Sequence, residues 1–225
     1  MLLASSMVIT LVLWYAINHY LPDAYNPFEE LSLDDEVTFV TRHKIKQLKT
    51  DEAACFAVLK NSKLKFERLP DQERGESCGL YDAALLHQSN ISYGGGVTLT
   101  CPALVGLAMW EKKALMPLAD EFFDQPIVRI KHFGTYACRN VNNRPTGRRS
   151  QHAYANAIDI AGFVLADGTE ISVLKDWGTD DKAGEFLAAI HQSACQYFTA
   201  VLGPDYNSAH HNHFHFDQGP WSVCT

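Results

Sequence analysis

Four of the ten histidines in this 225-residue chain crowd into one short stretch: His210, His211, His213 and His215. Within His213-Phe-His215-Phe-Asp217, polar residues alternate with phenylalanine. That period suits a strand with one polar face, on which His213 and His215 point the same way. Earlier in the chain, Arg149-Ser-Gln-His-Ala-Tyr-Ala-Asn-Ala-Ile-Asp159 holds a second histidine, His152, and a carboxylate, Asp159. Two imidazoles and a carboxylate are a common zinc set that leaves a fourth position for water. Asp159 stands inside the apolar run Ala157-Ile-Asp-Ile-Ala-Gly-Phe-Val164. An unpaired carboxylate is costly to bury there, so it requires a cation, an arginine or several donors. The competing reading, surface histidines and a structural acid, fits one lone histidine better than it fits this cluster.

The elements that must position these groups are legible from period and punctuation. Ala157 to Val164 reads as a strand, Asp167-Gly168 as a tight turn and Thr169 to Leu174 as a second strand, a hairpin signal. His152 falls on the loop before it. Thr50-Asp51-Glu52 offers a cap for a helix over Ala53 to Lys60. Lys63 to Leu69 alternates like a strand, and Pro70 to Gly79 is polar and loop-like. Gly94-Gly95-Gly96 breaks the chain before a strand at Val97 to Thr100. A helix then starts at Thr100-Cys101-Pro102, with proline in its first turn. Leu104, Leu107, Ala108, Leu115, Leu118 and Phe122 continue it at helical spacing. Pro126 to Tyr136 reads as a strand and Asn140 to Gly147 as a loop that rims a cleft. Asp180 to Ala200 reads as a helix, with Phe186, Leu187, Ile190, Ala194 and Phe198 on one face.

With 47% hydrophobic residues the chain is long enough for one domain with a sizeable core. Its net charge of -7, with no basic stretch concentrated enough to suggest otherwise and an Arg148-Arg149 pair too short for the purpose, argues against nucleic acid as a partner. The six cysteines, Cys55, Cys78, Cys101, Cys138, Cys195 and Cys224, form no Cys-x-x-Cys pair. An even, widely spaced set suits disulfides in an oxidising compartment. The expected pairing is sequential: Cys55 with Cys78, Cys101 with Cys138, Cys195 with Cys224. Leu2 to Ile17 is uncharged and mostly apolar, followed by Asn18 to Leu21, with Trp14, Tyr15 and Tyr20 as an aromatic belt. Residues 1–21 therefore read as a membrane anchor or signal segment, 22–49 as a linker or arm, and 50–225 as the domain.

Ser150-x-His152-x-x-Ala155-x-Ala157-x-Asp159, followed by His213-x-His215, resembles the Ser-x-His-x-x-Gly-x-Ala-x-Asp and His-x-His pattern of the D-Ala-D-Ala metallopeptidases and related murein endopeptidases. A closer resemblance, from roughly Asn26 onward, is to the bacterial extensin-like C-terminal domain family. It is carried by Cys101-Pro102, Tyr136-x-Cys138-Arg139, Asp176-Trp177, Leu202-Gly-Pro-Asp-Tyr-Asn207 and the His-x-His end. The resemblance implies an α+β fold of the hedgehog/DD-peptidase type, a small, mainly antiparallel sheet with packed helices. It implies that His152, Asp159 and His215 hold zinc and that His213 and His210 lie in the active site without being the main ligands; with no glutamate at hand, a neutral His213, assisted by His210, is the expected base. Arg139 would bind a substrate carboxylate or polarise its carbonyl, and Ser150 would line the substrate site. The implied activity is that of a periplasmic, membrane-anchored zinc peptidase acting on peptidoglycan stem peptides or cross-links. The alternative is a non-catalytic zinc-containing module that binds peptidoglycan or an envelope protein. Three departures stand out: Ala155 replaces the glycine of the pattern, Ala137-Cys138 separates Tyr136 from Arg139, and Asn212 stands where many such peptidases carry a glutamate.

Overall fold

Helix α1, Leu2–Tyr20, opens the computed structural model, which describes residues 2–225 and side chains from Ile9 onward. Its apolar residues Ile9, Leu11, Val12, Leu13, Trp14 and Tyr15 are exposed. No helix among the described residues is long and apolar enough to cross a membrane. The stretch read as a linker or arm packs onto the domain. Leu31, Leu33, Val40, Ile45 and Leu48 are buried there, and α2 (Thr41–Gln47) lies within it. Lys44 is buried as well, its Nζ donating to the Asp23 carbonyl at 2.7 Å.

Asp51 caps α3 (Glu52–Lys60) by accepting from Ala54 N at 2.9 Å. A three-stranded sheet follows, β1 (Lys65–Arg68), β4 (Ala83–Gln88) and β5 (Val97–Thr100), ordered β1-β4-β5. Between β1 and β4, the segment expected to be loop forms a two-residue pair, β2 (Gln72–Glu73) with β3 (Gly79–Leu80). Helix α4 (Cys101–Trp110) has every residue buried, so it runs through the core rather than along its surface. A π-turn over Glu111–Leu115 joins it to α5 (Met116–Phe123).

The site-bearing sheet comes next. Strands β6 (Ile127–Gly134), β7 (Ala157–Leu165), β8 (Glu170–Ser172), β9 (Ala200–Leu202), β10 (Phe214–Asp217) and β11 (Val223–Cys224) form a path β11-β9-β10-β7-β6, with β8 on β7. All its pairings are antiparallel except β11 with β9. One edge of β7 is divided: its start pairs β10 and its end pairs β8. Gly162 permits the close approach of β8, because a Cβ there would lie 2.4 Å from the Ile171 carbonyl.

Helix α7 (Lys182–Ala194) and α4 cover one face of this sheet. Phe214 and Phe216 of β10 and Phe163 of β7 are fully buried against them, with Phe216 packing edge-on to Trp110. By the two-residue alternation of a strand, His215 and Asp217 must face the other way.

Three expectations need correction. The second hairpin strand stops at Ser172, where a short helix, α6 (Val173–Asp176), begins; the Asp176 carboxylate accepts from Ser172 N at 2.7 Å. The helix expected to reach Ala200 ends at Ala194, and Ala200–Leu202 is β9. Two of the three disulfides pair differently: the bonds are Cys55–Cys101, Cys78–Cys138 and Cys195–Cys224. Packing of α3 on α4 brings Cys55 to Cys101, with their Cα atoms 6.1 Å apart, and so takes Cys55 away from Cys78.

Candidate metal centre

The first ligand candidate is set by a 3-10 turn over Gln151–Tyr154, capped when Ser150 Oγ accepts from His152 N at 3.3 Å. The turn ends at Ala155, whose φ of 52° lies in the left-handed region. Glycine adopts that conformation without strain, which is the physical content of the glycine at this place in the resembling pattern. The turn delivers His152 to the start of β7, where Asp159 stands opposite His215 of β10 in register. All three residues are buried.

His152 Nε2 lies 3.0 Å from Asp159 Oδ1, and His215 Nδ1 lies 2.9 Å from the same oxygen. The two imidazole nitrogens are 3.2 Å apart. Ligands about 2.0–2.1 Å from a tetrahedral zinc are separated by about 3.3 Å, so three such atoms form one face of a tetrahedron of the right size. The distal nitrogens are also fixed. His152 Nδ1 lies 3.2 Å from the Thr135 carbonyl, which only accepts, so Nδ1 carries a proton and Nε2 is the nitrogen that would offer its lone pair to a bound metal. His215 Nε2 faces Asp217 Oδ2 at 2.9 Å. Carbonyl and carboxylate partners of this kind orient metal-binding imidazoles. The donor set and its outer partners therefore fit a zinc-type ion.

Electrostatics follow from burial among these partners. Burial opposes ionisation of Asp159, but hydrogen bonds and charge from His152 and His215 outweigh it and hold the carboxyl far below the usual range. Burial likewise opposes the charged form of His215. Hydrogen bonds and charge from Asp159 and Asp217 win, raising it to about 9. A metal bound at His215 would have to displace this proton, so metal binding there would release protons and depend on pH.

His213 and His210 flank the three. His213 Nε2 is 3.5 Å from Asp159 Oδ1, while its Nδ1 donates to Asn212 Oδ1 at 2.9 Å. His210 donates from Nδ1 to Asn207 Oδ1 at 2.8 Å, with its ring 5.2 Å from that of His213. Burial is the main cause lowering both: His213 falls below its ordinary value and His210 to about 4. Both are thus neutral near pH 7. Arg139 reaches in from the other side, with Nη2 3.9 Å from Asp159 Oδ2. The fourth histidine of the cluster, His211, is exposed and donates to the Ser208 carbonyl at 2.8 Å.

Arg139, Ser150, His210, His213 and His215 line one cleft of ≈ 360 Å³, rimmed by Val141 and Asn142 of the expected loop. A larger cavity of ≈ 750 Å³ lies between the arm and α3 and contains none of these residues. Two partners escaped sequence reasoning. Thr135 acts through a backbone carbonyl, which leaves no signature in the sequence. Asn212 acts through its side chain, and its adjacency to His213 was the available signal.

No curated protein and no solved structure matches the chain. A family model does: residues 53–225 match the one described as extensin-like protein C-terminus, and with more than half of its length inside that match the chain belongs to this family.

Proposed function

We propose that the protein is a zinc-dependent peptidase of the D-Ala-D-Ala metallopeptidase type. Its substrates would be peptidoglycan stem peptides or cross-links, cleaved as a carboxypeptidase or an endopeptidase. The observation that carries this reading is the convergence of His152 Nε2, Asp159 Oδ1 and His215 Nδ1 on one point beside His213 and Arg139. Three disulfides suit an oxidising compartment, here the bacterial periplasm. The exposed apolar side chains of α1 suit attachment of residues 1–21 to the inner membrane.

Zinc bound at this point would polarise a peptide carbonyl and bring the pKa of its water toward neutral. The chain's own groups do the rest. With Nδ1 engaged by Asn212, His213 keeps a free lone pair on Nε2, accepts a proton there and later gives it to the leaving amine. His210 supports it from the adjacent ring position. Arg139 offers a planar guanidinium fork to a substrate carboxylate or carbonyl.

One observation favours a second reading, a zinc-containing module that binds peptidoglycan or an envelope protein without turnover. Asn212 supplies no carboxylate base at the position where related peptidases use glutamate. The deciding experiment measures metal content and digestion of purified peptidoglycan on the same preparation, beside Asp159→Ala. The peptidase reading expects one zinc per chain, trimmed or released muropeptides, and loss of both in the variant. Zinc without products across several cell-wall substrates selects the binding module. Absence of zinc from the unmutated chain removes both.

A further inference from the structure

The arm that precedes the matched residues reaches the candidate centre from behind. Lys49 Nζ donates to the Gly219 carbonyl at 3.1 Å. Arg42 Nη2 donates to the Thr199 carbonyl at 2.9 Å and also to Ser222 Oγ. Thr199 in turn holds the segment after β10: its Oγ1 lies 2.8 Å from the Gly219 carbonyl, and its N donates to the Asp217 carbonyl at 2.9 Å. Gly219 N donates to Asp217 Oδ1 at 2.6 Å, and Asp217 Oδ2 accepts from His215 Nε2 at 2.9 Å. The contacts form one continuous path from the arm to the imidazole.

Its geometry leaves little slack. Both oxygens of Asp217 are engaged, one by Gly219 and one by His215. A Cβ on Gly219 would lie 2.9 Å from Asp217 Oδ1 and 3.0 Å from Gln151 Cδ, so the backbone passes against the carboxylate. A shift of this turn therefore moves Asp217, and with it the angle of the His215 ring. Lys49 and Thr199 share the Gly219 carbonyl; removing Lys49 leaves a partly buried oxygen with one donor.

We infer that Arg42 and Lys49 are positioning residues for His215, acting through the Asp217–Gly219 turn. The matched region 53–225 is accordingly an incomplete site, and the arm is part of the centre. The inference rests on the proposed reading of His215 as a metal ligand.

The test uses the full chain and three variants, Lys49→Met, Lys49→Arg and Arg42→Met, each first checked for an unchanged circular dichroism spectrum. Zinc affinity is measured by competition with a chelating dye, and the visible spectrum of the cobalt(II) form reports ligand geometry. In the metal-free protein, the water-exchange rate of the His215 Nε2–H proton is measured by NMR. Lys49→Met is expected to bind zinc about tenfold more weakly, as outer-partner losses do. Its cobalt bands shift, the proton exchanges faster, and Lys49→Arg restores all three. Unaltered zinc affinity and cobalt spectrum in both Met variants overturns the inference while the zinc reading stands. Should the unmutated chain bind no zinc, the zinc reading falls separately. The Nε2–H proton then decides: faster exchange in the Met variants upholds the positioning role, and an unchanged rate ends it. Arg42→Met supplies the answer if Lys49→Met does not fold.

Discussion

Asn212 decides which nitrogen of His213 is basic. Because its side-chain oxygen takes the Nδ1 proton, Nε2 is left to face Asp159 and the cleft. On the proposed mechanism, His213→Ala keeps its zinc and loses turnover by about 10²–10⁴-fold, the usual share of a general base. Parallel zinc assays and muropeptide release check this; full activity in the variant would move the base to His210. The ligand types and their crowding were legible in the sequence, because histidine and aspartate announce their chemistry. Their tautomers were not. The Asp217 carboxylate, two residues from His215 on the same face of β10, was within reach of the alternation, but the Thr135 carbonyl that sets the His152 tautomer becomes its neighbour only on folding.

Among the elements, β10 does two jobs on its two faces. Phe214 and Phe216 hold it to the helices, and His215 and Asp217 present the site. Phe216→Ala is expected to cost about 3–5 kcal/mol by removing a fully buried ring. Urea denaturation measures that loss, and weaker zinc binding in the same variant would link core packing to ligand placement. The alternation of His213-Phe-His215-Phe-Asp217 exposed this strand in the sequence. So did the apolar run and turn of β7 and the proline-started helix α4. Strand β9 stayed hidden because Ala194, Phe198 and Val201 continue the apolar spacing of α7, while the pairing of β9 with β10 and β11 is non-local and leaves no mark in that stretch. The disulfides were hidden for a similar reason, since Cys55 meets Cys101 through helix packing rather than proximity in the chain.

Over the molecule as a whole, one buried acid sets a pH response apart from the candidate centre. Glu111 begins the π-turn after α4 and accepts a hydrogen bond from the buried Tyr93 hydroxyl. Burial outweighs the donors Tyr93 and Ser89 and raises its carboxyl from 4.5 to about 7. The folded chain thus holds this proton more tightly than the unfolded chain does. The stabilisation is complete below pH 4.5 and is lost as pH rises through about 7. The loss is on the order of 3 kcal/mol. Chemical denaturation across that window should show the decline, and Glu111→Gln should flatten it; an equal slope in both proteins would assign the decline elsewhere.

Arg42 and Ser222, joined by a hydrogen bond, stand 180 residues apart in the chain. During synthesis the arm leaves the ribosome long before its partner exists. His152 and Asp159 likewise emerge well ahead of β10. Closing so long a separation is slow, since its entropy is lost before any contact repays it. On the reading proposed above, metal capture is therefore a late event in the life of each molecule. It waits until β10 has docked, and a chain interrupted before His215 carries two ligands and no centre.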